Sequence, residues 1–224
     1  MADTVARETA ARALGTWKRA VGRAGTAGDR SLPRLLGTHE LLRDDAPGHV
    51  PDNRAQPRAP GTTSLRLSTA IGVSGTGAER IGLDDENPHL LIAGTTGCGK
   101  SEVLRTLILG LAAAAPPGRL EFVMVDFKGG AALAPLTALP HPTTLLTDLG
   151  PDEVRRALAF LRSELRRRER VLARCGFVDM AQALEHAGPD PVVRELVVVV
   201  DEAKMLTDSF PHAAEQLAVI AAVG

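Results

Sequence analysis

"HLLIAGTTGCGKSEVLRTLILGLAAAA" occupies residues 89–115, and the reading of the whole chain turns on it. A short apolar run meets a glycine-rich turn, then a Lys-Ser pair, then a long stretch of helical pattern. Gly94-Thr95-Thr96-Gly97-Cys98-Gly99-Lys100-Ser101 matches the phosphate-binding loop G-x-x-x-x-G-K-[ST]. Glycines let the backbone wrap until successive N–H groups converge on phosphate oxygens. Those amides open a helix, where unpaired donors and the dipole favour an anion. Lys100 is placed to reach the β- and γ-phosphates of a nucleotide, and the Ser101 hydroxyl to bind its Mg2+. Cys98 fills a wildcard position as a small side chain.

The flanks support this reading. The spacing predicts a strand at 90–93 and a helix at 101–114, stopped by Pro116-Pro117. Further strands are predicted at "LEFVMVD" (120–126), "TTLLTD" (143–148) and "LVVVVDE" (196–202), the last too uniformly apolar to have a wet face. A helix over 152–175 has Pro151 at its start and Gly176 just past its end, each suited to its position. Along it Val154, Leu158, Leu161, Leu165 and Leu172 line one face, and eight arginines, among them Arg168, cover the remainder. That basic face reads as a solvated or subunit-contact surface, with phosphate-backbone contact as the alternative. Continuous apolar strands separated by helices predict an α/β fold with a mainly parallel central sheet.

Ahead of this lies a different composition. Residues 2–24 read as an Ala/Arg-rich helix, 32–45 as short helical turns and 46–63 as a Pro/Arg-rich linker. A boundary near residue 60 is expected, giving a helical and linker extension at 1–60 and the nucleotide-binding region at 61–224. Across the "SGTG" turn, 64–73 and 78–85 read as an antiparallel pair, with Asp84, Asp85 and Glu86 in a solvated turn.

Composition removes several function classes. A net charge of -1 gives no global field favouring nucleic acid. With no Tyr and 3% aromatics there is no stacking platform for single strands. Two cysteines without a CxxC spacing point to a reducing compartment. No apolar run approaches the roughly 18 residues of a membrane span. The expected location is cytoplasmic, or peripheral at the inner face of the membrane.

A second acidic element completes the nucleotide reading. Asp201, at the end of a buried strand, stands where a P-loop protein needs a carboxylate for Mg2+. Glu202 follows as candidate general base for an attacking water. "VDFKGGAAL" (125–133) also ends a strand in an acid, which puts Asp126 and Lys128 near the edge where open α/β sheets bind ligands. His89 and His141 each follow a proline and read as packing or hydrogen-bonding residues.

Taken in order, "PHLLIAGTTGCGKSEVLRTLILGL", "FVMVDFKGGAAL", "LPHPTTLLTDL", "RRALAFLRSELRRRERVLA" and "LVVVVDE" resemble the FtsK/SpoIIIE ATPases. "DFKGG", "LPH" and "ELRRRE" look more like the type VII secretion branch (EccC/EssC) than the chromosome translocases, which typically carry "IDPK". The resemblance implies a RecA-like P-loop motor that self-associates into rings or stacked arrays and couples ATP hydrolysis to polymer translocation. It implies ATP and Mg2+ as cofactors. Its partners would be a secreted protein substrate or double-stranded DNA, with a membrane-embedded complex in the first case.

Carried over residue by residue, Gly94 to Ser101 bind nucleotide, Ser101 and Asp201 hold the metal, and Lys100 and Glu202 are catalytic. Asp126 and Lys128 are nucleotide-proximal. Protein export is the first reading. A duplex-DNA translocase, and a non-catalytic ATP-binding module or truncated fragment, are the alternatives. Two departures from the family pattern carry expectations. Ala203-Lys204 replaces an apolar continuation after the acids. A segment resembling "RSLGVHLLLATQRP" does not follow Gly224, so the domain is expected to be incomplete at its C-terminus, with a gap in the sheet beside the Asp201 strand.

Overall fold

A computed structural model describes residues 67–74, 77–83, 87–129, 132–186 and 191–223. The predicted helix at 2–24, the turns at 32–45, the linker and the Asp84–Glu86 turn lie outside these residues. Two compact units emerge, one within Met1–Pro117 plus Ala138–Pro140, the other Gly118–Thr137 plus His141–Gly224.

In the first unit β1 (Leu67–Ser74) and β2 (Gly77–Leu83) form the expected antiparallel pair. Helix α1 (Lys100–Ala114) packs on β1 and buries Leu107, Ile108 and Leu111, while Thr69 and Ala70 are fully buried. The approach is close enough to demand glycine at position 110. A Cβ there would lie 1.7 Å from Thr69 Oγ1 and 2.5 Å from Thr69 Cβ. The helix ends where the Ala115 amide donates to the Leu111 carbonyl at 3.1 Å, and Pro116-Pro117 cannot extend it.

The strand predicted at 90–93 does not form. Apolar residues make a strand only when a neighbour satisfies their backbone, and no described strand pairs with this segment. Leu91 is 85% exposed as a result.

The second unit is built on a parallel sheet of order β4-β3-β5. Central β3 (Leu120–Asp126) pairs with β4 (Thr143–Thr147) and β5 (Glu195–Asp201). Helix α2 (Pro151–Arg174) and the short α3 (Met180–His186) separate β4 from β5 in sequence, as a parallel crossover requires. Flanking helices and a parallel sheet match the α/β, RecA-like expectation.

Val123 and Val125 on β3 pack with Val154, Leu158 and Leu161 on α2 and with Leu206. Each such buried aliphatic side chain contributes about 1.5–3 kcal/mol. On the opposite face of β3, His141 meets Phe122 edge-on with ring centroids 5.7 Å apart. This is the packing role expected of that histidine.

Both ends of α2 follow from sequence. Pro151 occupies the first turn, with Asp152 and Glu153 beside the dipole. At the other end Gly176 adopts φ 78°. The Phe177 amide donates to Leu172 O at 3.0 Å and the Gly176 amide to Ala173 O at 3.2 Å, a Schellman closure.

Arg168 departs from the solvated role expected of it, being 8% exposed. Its guanidinium binds Glu121 on β3 and Glu164 one turn back, and donates to the Arg194 carbonyl at 3.3 Å. Burying a guanidinium requires such partners, and here they tie α2 to the sheet. Arg167 also donates to Glu164, at 2.6 and 2.8 Å. That hydrogen bond holds the Glu164 carboxyl below its ordinary range, against the opposing effect of burial.

β5 has a wetter face than its uniformly apolar composition predicts. Val198 is 36% exposed, because β5 lies at the sheet's edge and pairs with β3 alone among the described strands. Beyond it Ala203-Lys204 begins α4 (Ala203–Ser209), in which Lys204 pairs with Asp208 and Leu206 enters the core. Helix α5 (Pro211–Val223) adds Ala213 and Ile220 to that core.

Candidate nucleotide and carboxylate sites

In the first unit the loop from Gly94 to Ser101 is shaped by its glycines. Gly97 and Gly99 adopt φ 79° and 94°, a region side-chain-bearing residues rarely enter. Gly94 is required for another reason: a Cβ there would come within 2.4 Å of Cys98 Sγ. The wildcard cysteine thus packs against the first glycine of the motif. The Cys98 amide donates to Thr95 O at 3.3 Å, and the amides of Glu102 and Val103 donate to Gly99 O at 3.0 Å. Gly99 is the N-cap of α1 and Lys100 its first residue. The Gly97 and Gly99 amides have no backbone acceptor among the described residues. Lys100 folds back over the loop, its Nζ donating to Gly94 O and Thr95 O, both at 3.0 Å. This turn leaves the Gly97 and Gly99 amides without a backbone acceptor among the described residues and sets a lysine ammonium and the N-terminus of a 15-residue helix beside them. Its chemistry suits a polyphosphate.

The second unit gathers Asp126, Lys128, Asp201 and Glu202 at the C-terminal edge of its sheet. Register does this: Asp126 pairs with Asp201 across β3 and β5. Asp126 is 2% exposed, and its Oδ1 accepts the Lys128 amide at 2.7 Å, closing an Asx turn. Asp201 Oδ1 accepts the Glu202 amide at 2.9 Å. Glu202 then takes a left-handed conformation, φ 54° and ψ 42°, as the N-cap of α4. A residue of this type in that region costs about 1–2 kcal/mol, and such strain gathers at functional sites. Lys128 Nζ lies 3.0 Å from Glu202 Oε1.

Sequence reading chose these residues singly and missed that lysine–glutamate pair. Its signal was available: strands ending in Asp126 and Asp201, once aligned in parallel, set the next residues side by side. Among the described residues no group of three or more His, Cys, Asp or Glu side chains could hold a metal. Ser101 in the first unit carries a hydroxyl and Asp201 in the second a carboxylate, each an oxygen donor of the kind Mg2+ takes.

The FtsK/SpoIIIE family profile matches residues 53–223. EccC4 of the ESX-4 secretion system of Mycobacterium tuberculosis is 34% identical over 172 residues, covering 71% of this chain and 14% of that protein. EccC of an ESX secretion system from Thermomonospora curvata is 38% identical over 143 residues, covering 61% of this chain and 11% of that protein. The chain therefore spans a small part of the length of the curated relatives it matches. Among solved structures, the cytoplasmic domain of the Thermomonospora curvata type VII secretion ATPase EccC superposes with a TM-score of 0.69 at 32% identity, covering 84% of this chain and 23% of that one. ATPases 2 and 3 of the same EccC, in complex with a signal sequence peptide, give 0.56 at 28% identity, covering 79% and 34%. These likenesses fall in the EccC/EssC branch.

Proposed function

Since the chain belongs to the FtsK/SpoIIIE family, we propose that it is an ATP-binding, ATP-hydrolysing motor domain that serves protein export of the type VII secretion kind. The observation that carries this reading is the loop at the start of α1. Its two left-handed glycines, a first glycine packed on Cys98 and a lysine curled over the loop carbonyls form a polyphosphate cradle.

Each residue then has a role. The amides from Gly94 to Ser101 bind phosphate oxygens, with Thr95, Thr96 and Cys98 lending backbone. Lys100 leaves the Gly94 and Thr95 carbonyls to neutralise the β- and γ-phosphates. Ser101 and Asp201 are the residues that would hold Mg2+, whose charge would neutralise that developing on the phosphates. Glu202 accepts a proton from the attacking water. Asp126 keeps the loop after β3 in place through its turn with Lys128.

Self-association into a ring or stacked array, a secreted protein as cargo, and a place at the inner face of the membrane beside a membrane-embedded complex belong to the same proposal. Support comes from the secretion-system relatives and from the signal peptide bound in one of the solved structures. Among the described residues no helix is long and apolar enough to cross a membrane.

Duplex-DNA translocation is the second reading, and one feature favours it. Arg162, Arg166 and Arg174 are exposed on α2 and have no acidic partner among the described residues. DNA binding that falls steeply with salt, with stimulated hydrolysis, would establish it. Stimulation by a secretion signal peptide would establish export.

The deciding experiment is thermal unfolding of the full chain with and without excess Mg-ATP, beside Lys100→Ala. Ligand at a hundred times its Kd adds about 2.7 kcal/mol. A shift lost in Lys100→Ala supports the site. No shift in the wild-type chain refutes nucleotide binding by this chain.

A further inference from the structure

We infer that Lys128 is a positioning residue for the carboxylate of Glu202 and not a ligand of the nucleotide. The inference rests on Glu202 being the base proposed above. A carboxylate that must take a proton from water needs one oxygen presented and the side chain held still. Backbone geometry fixes the root of Glu202: the left-handed conformation at φ 54° and the bond from its amide to Asp201 Oδ1 at 2.9 Å. The tip is fixed from the turn that follows β3. Lys128 Nζ holds Oε1 at 3.0 Å, while Oε2 has no hydrogen-bond partner among the described residues and is left to accept a proton.

Lys128 is itself set in place. Asp126, buried to 2% exposure at the end of the central strand, takes the Lys128 amide at 2.7 Å. The Asp126–Asp201 register then carries that order across to β5. Residues 74 apart in sequence meet through one buried turn and one ladder rung. With the lysine and glutamate side chains 67% and 31% exposed, the pair sits in partly aqueous surroundings, so the effect is modest. Exposed pairs of this kind correspond to a change of up to about fivefold in an equilibrium.

The test is steady-state ATP turnover by the full chain, with the Kd for a fluorescent ATP analogue measured in parallel. Wild type, Lys128→Met, Lys128→Arg, Glu202→Gln and the Lys128→Met/Glu202→Gln double variant are compared. The expected result for Lys128→Met is a kcat reduced about two- to fivefold, with KM and Kd within about twofold of wild type. Lys128→Arg, which can still make a single N–H to oxygen bond, restores kcat. On the Glu202→Gln background Lys128→Met has no further effect, as coupled residues require. An unchanged or increased kcat in Lys128→Met overturns the inference, as does a rise in Kd at constant kcat, which would make Lys128 a nucleotide ligand. A wild-type chain that does not hydrolyse ATP overturns the role of Glu202 and this inference together. Wild-type hydrolysis lost in Glu202→Gln but intact in Lys128→Met overturns this inference alone.

Discussion

Gly110→Ala sets two physical effects against each other. In a helix interior alanine is about 0.8–1.0 kcal/mol more favourable than glycine, so propensity alone predicts a stabilised protein. The new Cβ, however, would stand 2.5 Å from Thr69 Cβ and 1.7 Å from Thr69 Oγ1. Oγ1 could rotate away, but Thr69 Cβ is attached to the backbone of β1 and the residue is fully buried. Relief therefore requires α1 and β1 to separate. Overpacking of this sort costs about 1–3 kcal/mol, and a contact this short belongs at the upper end. The net expectation is about 2 kcal/mol of destabilisation, lowering Tm by about 4–8 °C for a chain of this size. Circular dichroism at the helix band, followed through heat and urea unfolding of the full chain, reads it out. Thr69→Gly removes the obstructing atoms, so the double variant should recover most of the loss caused by Gly110→Ala. A Gly110→Ala chain as stable as wild type, or more so, would refute the close approach of α1 to β1.

Arg168→Met should lower stability by about 2–3 kcal/mol, less than the 3–5 expected when a buried charge is fully orphaned. Arg167 still reaches Glu164, and Arg194 lies 3.9 Å from Glu121; urea midpoints measure the loss. Glu164 adds an acid-sensitive contribution. Its carboxyl titrates below its ordinary range chiefly through the Arg167 hydrogen bond, so the unfolded chain takes up the proton first as pH falls. The stabilisation is complete above the unfolded value of about 4.3 and is lost as pH drops through the lower folded one. The stability gap between wild type and Glu164→Gln should therefore narrow below about pH 4, as urea midpoints over a pH series would record.

What could be read in the sequence was local. The phosphate loop depends on glycines and a lysine within eight positions, so their spacing alone specified the turn that the backbone adopts. Helix α2 was legible for the same reason, down to the Gly176 closure. Strand pairing is not local. The apolar run at 90–93 resembles a strand in composition, but a ladder needs a partner, and composition cannot say where one stands. The exposure of Val198 has the same origin. Arg168 was misread for a different reason. Val154, Leu158, Leu161, Leu165 and Leu172 leave a gap at position 168 in their alternating spacing of three and four, so an arginine occupies the apolar face. Counting positions would have flagged it, and only Glu121 on the neighbouring strand explains why it is tolerated. Among the candidate site residues Asp126, Asp201 and Glu202 were each chosen from their own strand end, while the Lys128–Glu202 contact required the β3–β5 register.

The two hydrogen bonds from Lys100 to the Gly94 and Thr95 carbonyls bear on the timing of recognition. They tie the helix's first residue to the start of the loop, so the loop backbone is held in shape without a bound phosphate. Ordering backbone costs about 1–2 kcal/mol per residue, and a loop already in shape leaves the arriving anion only the lysine to displace. On the proposed function, nucleotide capture would then require the Lys100 ammonium to pass from carbonyl to phosphate.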